Sequence, residues 1–250
     1  MLCRLLGVPE SDHGKFITWS HAMLSTAGTS EEIERTRGQL GRYVAGLIEA
    51  RRQEPTGDLV SALVATVKRE GAEPRQAMLL VMAILVAGHD ALANQLASSA
   101  YLLLTHPGII QRLAAEPELT PEAVEEICRY TSQIAVGGFP RVALEDVRIG
   151  DVLIRKGETV IAAVDSADRD AAIFPDPDEL RVDRCPRGHL AFGHGTHRCL
   201  GAQLARATLG IAIDTLITEL PGMRLAAPPE ELEWERESLG RGLRSLPITW

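Results

Sequence analysis

The first half of the chain carries apolar residues at the spacing of helices. Between residues 29 and 52 they recur on one helical face: Ile33, Leu40, Val44, Leu47 and Ile48. Thr29 and Glu32 have the spacing of a capping box, which predicts where this helix begins, and Pro55 predicts its end. Asp58 then predicts the start of a second, shorter amphipathic helix.

A much longer apolar stretch follows, from about Arg75 to Thr105. A helix over this stretch would be roughly 45 Å long at 1.5 Å per residue. A membrane span needs about 20 predominantly apolar residues, but polar pairs interrupt this run at residues 89–90 and 94–95. Because such groups are costly in lipid, we expect a helix that crosses the protein core, and no membrane anchor.

The second half of the chain is less regular. Helical patterns lie at residues 109–115, 120–130 and 202–220. Thr120 is expected to be the N-cap of the second of these helices, with Pro121 at its first position. Short apolar pieces between turn residues predict strands over 142–164, and the tail after Pro228 is expected to form a hairpin. We therefore predict a mainly α fold, in one unit, with a small β region.

Composition and charge restrict the class of protein. Of the 250 residues 45% are hydrophobic, which is enough to bury a large core. The net charge of −8 argues against a nucleic-acid binder and against membrane binding through a basic face. The four cysteines form no CxxC pair, so we expect a reducing, cytoplasmic setting. The first residues lack the pattern of a signal peptide.

The most informative stretch is residues 191–206, AFGHGTHRCLGAQLAR. Gly193 and Gly195 allow tight or left-handed backbone and close approach to a large flat ligand. Cys199 stands just before the last predicted helix, where free N–H groups and the helix dipole stabilise a thiolate. A buried, inert cysteine and a zinc site are the alternatives. The further zinc ligands would be His189, His194 and His197.

This stretch resembles the cysteine-ligand loop of the cytochrome P450 family. The matching pattern is F-G-x-G-x-H-x-C-x-G, carried by Phe192, Gly193, Gly195, His197, Cys199 and Gly201. The resemblance implies the mainly α cytochrome P450 fold and a haem b whose iron is ligated by the Cys199 thiolate. Such a ligand pushes electron density onto the iron and favours cleavage of the O–O bond.

Two further segments support the resemblance. Glu126 and Arg129 have the E-x-x-R spacing of the family, and positions i and i+3 share a helix face. In the family this pair is buried and joined by a third residue, which assigns Arg184 to a structural triad. Residues 139–143 resemble the segment whose arginine binds a haem propionate, which assigns Arg141, while His197 is expected to contact the other propionate or share one.

The long helix contains Ala87, Gly88, His89, Asp90 and Ala91 in sequence. They resemble the A-G-x-D/E-T segment of the family, in which small residues leave room for dioxygen and an acid–alcohol pair relays protons. Here Ala91 replaces the alcohol, while Asp90 keeps the acid. We therefore expect water or a substrate hydroxyl to assist proton delivery.

The resemblance implies a soluble bacterial monooxygenase that reductively activates dioxygen and inserts one oxygen atom into a small organic substrate. Electrons would come from a ferredoxin-type protein. Arg198 and Arg206, near the cysteine loop, would form a basic docking spot for it, and the alternative is that both are ordinary solvated arginines. The chain is expected to be the carboxy-terminal portion, 1–250, of a single catalytic domain whose amino-terminal part is absent. The second hypothesis is a truncated, non-catalytic haem-binding remnant of such an enzyme.

Overall fold

The computed structural model describes residues 1–131, 133–134, 139–184 and 186–250. The chain groups into two compact units. The first unit comprises residues 1–93 and 236–240, and the second comprises residues 94–235 and 241–250. Cys185 lies outside the described residues.

The first unit is helical. Its elements are α1 (Leu2–Leu5), α2 (His13–Leu24), α3 (Ser30–Gln53), α4 (Leu59–Arg69) and the first part of α5 (Pro74–Thr105). Its core is aliphatic around one aromatic ring, Phe16, which meets Trp19 and Tyr43 edge-on with ring centroids 5.2 and 5.0 Å away. The predicted helices over 29–52 and 75–105 are confirmed, whereas α2 was not predicted from the sequence.

Side-chain caps fix where α3 and α4 begin. The Thr29 hydroxyl accepts a hydrogen bond from the Glu32 N–H at 3.2 Å, and the Glu32 carboxylate accepts one from the Thr29 N–H at 2.9 Å. These reciprocal bonds satisfy N–H groups that the helix leaves without an internal partner. Asp58 caps α4 in the same way, since its carboxylate accepts from the Ser61 N–H at 2.7 Å.

Asp58 also joins the N-terminal segment to α3. Its carboxylate is paired with the Arg51 guanidinium, and Arg51 donates to the carbonyl oxygen of Gly7 at 2.8 Å. Burial raises the pKa of Asp58, but hydrogen bonds from Ser61, Thr56 and Arg51 outweigh it and bring the pKa to about 2. Gly7 has φ +67°, and a methyl group there would overlap the Asp58 carboxylate.

Gly7→Ala is therefore expected to lower the free energy of unfolding by about 2–4 kcal/mol, through left-handed strain and a displaced ion pair. Urea unfolding followed by circular dichroism measures this change. The control is Gly46→Ala, inside α3 with open space around it, which we expect to be neutral or to stabilise by about 0.5–1 kcal/mol. Equal midpoints for both variants would contradict the assigned role of Gly7.

The second unit combines helices with short strands. Its helices are the end of α5, then α6 (Pro107–Ala115), α7 (Thr120–Tyr130), α8 (Val164–Ala167) and α9 (Ala202–Glu219). Its strands are β1 (Pro140–Val142), β2 (Val147–Ile149), β3 (Val152–Ile154), β4 (Thr159–Ile161), β5 (Arg224–Leu225) and β6 (Ile248–Thr249). They form antiparallel pairs β1–β4, β2–β3 and β5–β6. The predicted mainly α fold with a small β region is confirmed.

Helices α7 and α9 pack together, and both contribute buried apolar residues, Ile127 on α7 and Leu209 and Ile213 on α9. The prediction that Thr120 caps α7 is wrong, because the N-cap residue is Leu119 and no side chain caps it. The Thr120 hydroxyl instead donates to the Asp214 carboxylate of α9 at 2.6 Å.

The tail differs from the predicted hairpin. In place of a regular hairpin after Pro228, β6 pairs with β5, and a single antiparallel bridge joins Trp234 to Leu243.

Helix α5 is the one helix among the described residues that is long and apolar enough to cross a membrane. The expectation of a helix that crosses the protein core is not met within this chain, because only 17% of its most apolar window is buried. In the first unit, Val81 and Leu85 are buried, whereas Leu79 and Leu80 are exposed.

Candidate functional site

The cysteine loop, residues 191–201, is closed by a backbone hydrogen bond. The Cys199 N–H donates to the carbonyl oxygen of Phe192 at 2.8 Å, and the single 3₁₀ turn Gly195–His197 lies between them. Gly193 and Gly195 have φ of +70° and +75°, so the loop uses the left-handed backbone that favours glycine at two positions. The loop leads directly into α9, as the sequence predicted.

The Cys199 thiol is exposed to solvent at the end of this loop. A Cβ added at Gly201 would stand 4.0 Å from its sulfur, in ordinary van der Waals contact, whereas glycine leaves that side of the sulfur uncovered. The alternative of a buried, inert cysteine does not apply to Cys199, although it describes Cys3 and Cys128, which are buried. Burial raises the pKa of the Cys128 thiol to about 12.

The zinc alternative finds no support in the described part of the chain. No three histidine, cysteine, aspartate or glutamate side chains converge there into a group able to hold a metal ion. His189, one of the suggested ligands, is instead engaged by Glu125.

Arg141 and His197 are both exposed side chains. Arg141 lies on β1, opposite Val160 of β4, and His197 lies at the end of the turn in the cysteine loop. Among the described residues, neither side chain has a hydrogen-bond or ion-pair partner. Each therefore remains available to an anionic ligand.

Glu126 lies at the centre of a buried ionic cluster. Its carboxylate is fully buried and binds Arg129 through two hydrogen bonds of 2.8 and 2.9 Å, while Arg184 donates to it at 2.9 Å. The two guanidinium groups also donate to carbonyl oxygens of the segment 168–179. The predicted triad residues therefore meet, and they attach α7 to the long loop that precedes the cysteine loop.

A second cluster lies beside the first and was missed by the sequence analysis. Glu125 accepts two hydrogen bonds from Arg206, of 2.5 and 2.8 Å, and one from His189 Nε2 at 2.8 Å. Burial raises the pKa of Glu125, but its hydrogen bonds to Arg206 and His189 outweigh this and bring the pKa to about 2. These residues border an open cavity of about 480 Å³ beside the cysteine loop.

This cluster changes the expectation for the two arginines. The charge of Arg206 is compensated by Glu125, so Arg206 does not offer a free cation for docking. Arg198 is exposed and has no side-chain hydrogen bond or ion pair to a described residue.

The segment 87–91 lies on α5, in the first unit. Asp90 Oδ1 is 2.8 Å from His89 Nδ1, while Asp90 Oδ2 is buried and without a hydrogen-bond partner in the described chain. A Cβ at Gly88 would come within 3.1 Å of the Leu2 side chain, so packing alone favours a small residue there. Ala87 and Ala91 are exposed.

The residues of the second unit fit a haem in their chemistry. A porphyrin is flat and apolar, carries two carboxylates and needs an axial ligand. Cys199 offers an exposed sulfur, and Arg141 and His197 offer donors without partners in the described chain. Exposed apolar side chains lie near them in the sequence: Phe139 is two residues before Arg141, and Leu200 follows Cys199.

Comparisons with known proteins agree with this site. The sequence profile of the family described as Cytochrome P450 matches residues 26–221. The chain is 46% identical over 252 residues to the mycinamicin IV hydroxylase/epoxidase of Micromonospora griseorubida. It is also 46% identical, over 251 residues, to the nocardicin C N-oxygenase of Nocardia uniformis subsp. tsuyamanensis. Each alignment covers the whole chain but only 64% and 63% of the relative, respectively.

Solved structures show the same fold. The mixed-function P450 MycG is 47% identical with a TM-score of 0.89, and the putative thioether synthase SgvP is 40% identical with a TM-score of 0.95. Both matches cover the whole chain and 64% of the solved chain. The expected cytochrome P450 fold is thereby confirmed. On its cysteine loop, its fold and these similarities, the chain belongs to the cytochrome P450 family.

Proposed function

We propose that the protein is a haem-thiolate monooxygenase that inserts one atom of dioxygen into a small organic substrate. The observation that carries this proposal is the exposed Cys199 thiol, held by a glycine-rich loop ahead of α9 in a chain of this family. The chain spans less than two thirds of its relatives' length, so the proposal concerns the activity of the whole protein.

Haem b is the cofactor of this family, and the residues that would hold it lie in the second unit. Cys199 would ligate the iron, Arg141 and His197 would bind the propionates, and Phe192 would pack near the sulfur. Gly193 and Gly201 would allow close approach. A guanidinium suits a carboxylate through its charge and its planar fork of donors. When bound, a haem with a thiolate ligand supplies reductive activation of dioxygen.

Proton delivery is the task proposed for Asp90. Its Oδ1 faces His89, while Oδ2 is buried without a partner in the described chain and can hold or pass a proton. Ala91 has no hydroxyl to continue a relay, so water or a substrate hydroxyl would take that place. Ala87 and Gly88 would border the oxygen site.

Substitutions on α5 test this assignment. Asp90→Asn is expected to lower the rate of product formation by about 100-fold, since a positioned general acid contributes at least that much to a rate, and to lower the product formed per reducing equivalent with it. Ala91→Thr is expected to change the same ratio by less than about twofold if the native site is already competent. Ala93→Thr, two residues further along α5, is the matched control. A large gain in coupling for Ala91→Thr alone would contradict the assisted relay.

The substrate class is proposed from the relatives. The first molecules to assay are mycinamicin IV and nocardicin C, which the two relatives at 46% identity are named for. The electron donor is proposed to be a ferredoxin-type protein in the cytoplasm, docking near exposed Arg198. A reduction rate that does not depend on salt concentration would argue against electrostatic docking of this kind.

One observation favours a second function, that of a haem-binding protein without oxygenase activity. It is Ala91, which removes the hydroxyl that the family pattern places next to the acid. The two functions differ in one assay, because a non-catalytic protein would show thiolate ligation of the haem and no oxygenated product with any tested substrate.

A further inference from the structure

We propose that Glu125 is a positioning residue for the haem ligand, acting on Cys199 through Arg206 and Phe192. This inference rests on the proposed thiolate ligation. It concerns the carboxylate that immediately precedes Glu126 on α7 and that the E-x-x-R pattern does not include. Adjacent residues of a helix point in directions about 100° apart. Glu126 therefore holds the loop before the cysteine loop, while Glu125 binds His189, two residues before the cysteine loop, and Arg206 of α9.

The first step runs from Glu125 to the ring of Phe192. Glu125 holds the Arg206 guanidinium through two parallel hydrogen bonds, the geometry that fixes orientation as well as distance. The guanidinium carbon of Arg206 lies 4.3 Å from the centroid of the Phe192 ring, at the distance of a cation–π contact. The carboxylate therefore fixes the surface against which Phe192 rests.

The second step runs from Phe192 to the sulfur ligand. The carbonyl oxygen of Phe192 accepts the Cys199 N–H at 2.8 Å, so the backbone position of the cysteine follows that of Phe192. In the described chain this backbone bond is the direct tie between the two residues.

His189 supports the same carboxylate from the other side. Its Nδ1 accepts the Ala191 N–H at 3.2 Å, which leaves the proton on Nε2 to donate to Glu125 at 2.8 Å. The His189 side chain is buried, and its ring centroid is 5.9 Å from that of Phe192. Glu125 thus orients both the His189 imidazole and the Arg206 guanidinium, and both groups lie against the Phe192 ring.

Two conservative substitutions interrupt these contacts, and the first of them keeps the size of the side chain. Glu125→Gln removes the negative charge of the carboxylate. Arg206→Lys keeps the positive charge but removes the paired donors and the flat face of the guanidinium. In the carbon-monoxide difference spectrum of the reduced haem protein, each is expected to lower the ratio of the red-shifted to the unshifted band by about 10-fold, the usual effect of losing a group that supports a metal ligand. Since the two residues act as a unit, the double variant Glu125→Gln/Arg206→Lys is expected to have a band ratio no lower than that of either single variant.

Glu122→Gln is the matched control. Glu122 lies on α7, borders the same cavity, and makes no ion pair with a described residue. This variant is expected to keep the wild-type band ratio. Wild-type ratios in Glu125→Gln and Arg206→Lys would overturn the inference while leaving thiolate ligation intact. Absence of the red-shifted band in the wild-type protein would overturn both the ligation and the inference.

Discussion

Replacing Cys199 by serine is expected to reduce oxygen insertion to the background of free haem. The serine hydroxyl is close in size to the thiol, so the loop keeps its glycines and its bond from the Cys199 N–H to Phe192. A neutral hydroxyl does not supply the anionic sulfur that pushes electron density onto the iron. The measurement is product formed per reducing equivalent, together with haem content and the absorption spectrum of the purified protein.

The control for this substitution is Cys128→Ala. Cys128 is buried in α7, and burial holds its thiol in the neutral form by raising its pKa to about 12. Removing this thiol is expected to leave product formation within about twofold of the wild type, because a buried cysteine acts as a small apolar side chain. Retained activity in Cys199→Ser, or equal loss in both variants, would show that Cys199 is not the ligand.

Glu126→Gln is expected to lower the free energy of unfolding by about 3–5 kcal/mol, because it leaves two buried guanidinium groups without their counter-charge. Arg129 is only 2% exposed, and Arg184 donates to the same carboxylate. The neutral amide also cannot accept at both ends, so at least one hydrogen bond to Arg129 is lost. Chemical unfolding monitored by far-ultraviolet circular dichroism measures the change.

An exposed ion pair in the same unit provides the comparison. Asp178 pairs with Arg169, but its side chain is 82% exposed, so Asp178→Asn is expected to change stability by less than about 1 kcal/mol. Equal, small effects of both substitutions would mean that the Glu126 cluster does not stabilise the fold. Restored stability in a variant that replaces the whole triad by apolar residues would agree with the account, since no buried charge then remains.

The sequence-based predictions that are confirmed rest on residues that lie close together in the sequence. The helix after Thr29 is set by its own capping box and by four buried apolar residues on one face, all within 24 residues of helix. The Glu126–Arg129 pair is likewise within one helical turn. In contrast, α2 has no side-chain cap and buries only Phe16 and Ser20, so its pattern is weak.

Contacts between distant residues account for what was missed. Thr120 has the features of an N-cap, yet its hydroxyl is taken by Asp214, 94 positions away. The sequence predicts that Arg206 is an exposed basic residue, but Glu125, 81 positions away, compensates its charge. No spacing rule links such partners, because only the packing of α7 against α9 brings them together.

The carbon-monoxide difference spectrum of the reduced, haem-reconstituted protein tests the central claim most directly. Its Soret band depends on the chemistry of the protein group that would ligate the iron, so it tests thiolate ligation by Cys199 without needing a substrate. The account predicts a strongly red-shifted band that Cys199→Ser abolishes. An unshifted band in wild-type protein that has taken up haem would contradict thiolate ligation by Cys199 and, with it, the proposed monooxygenase.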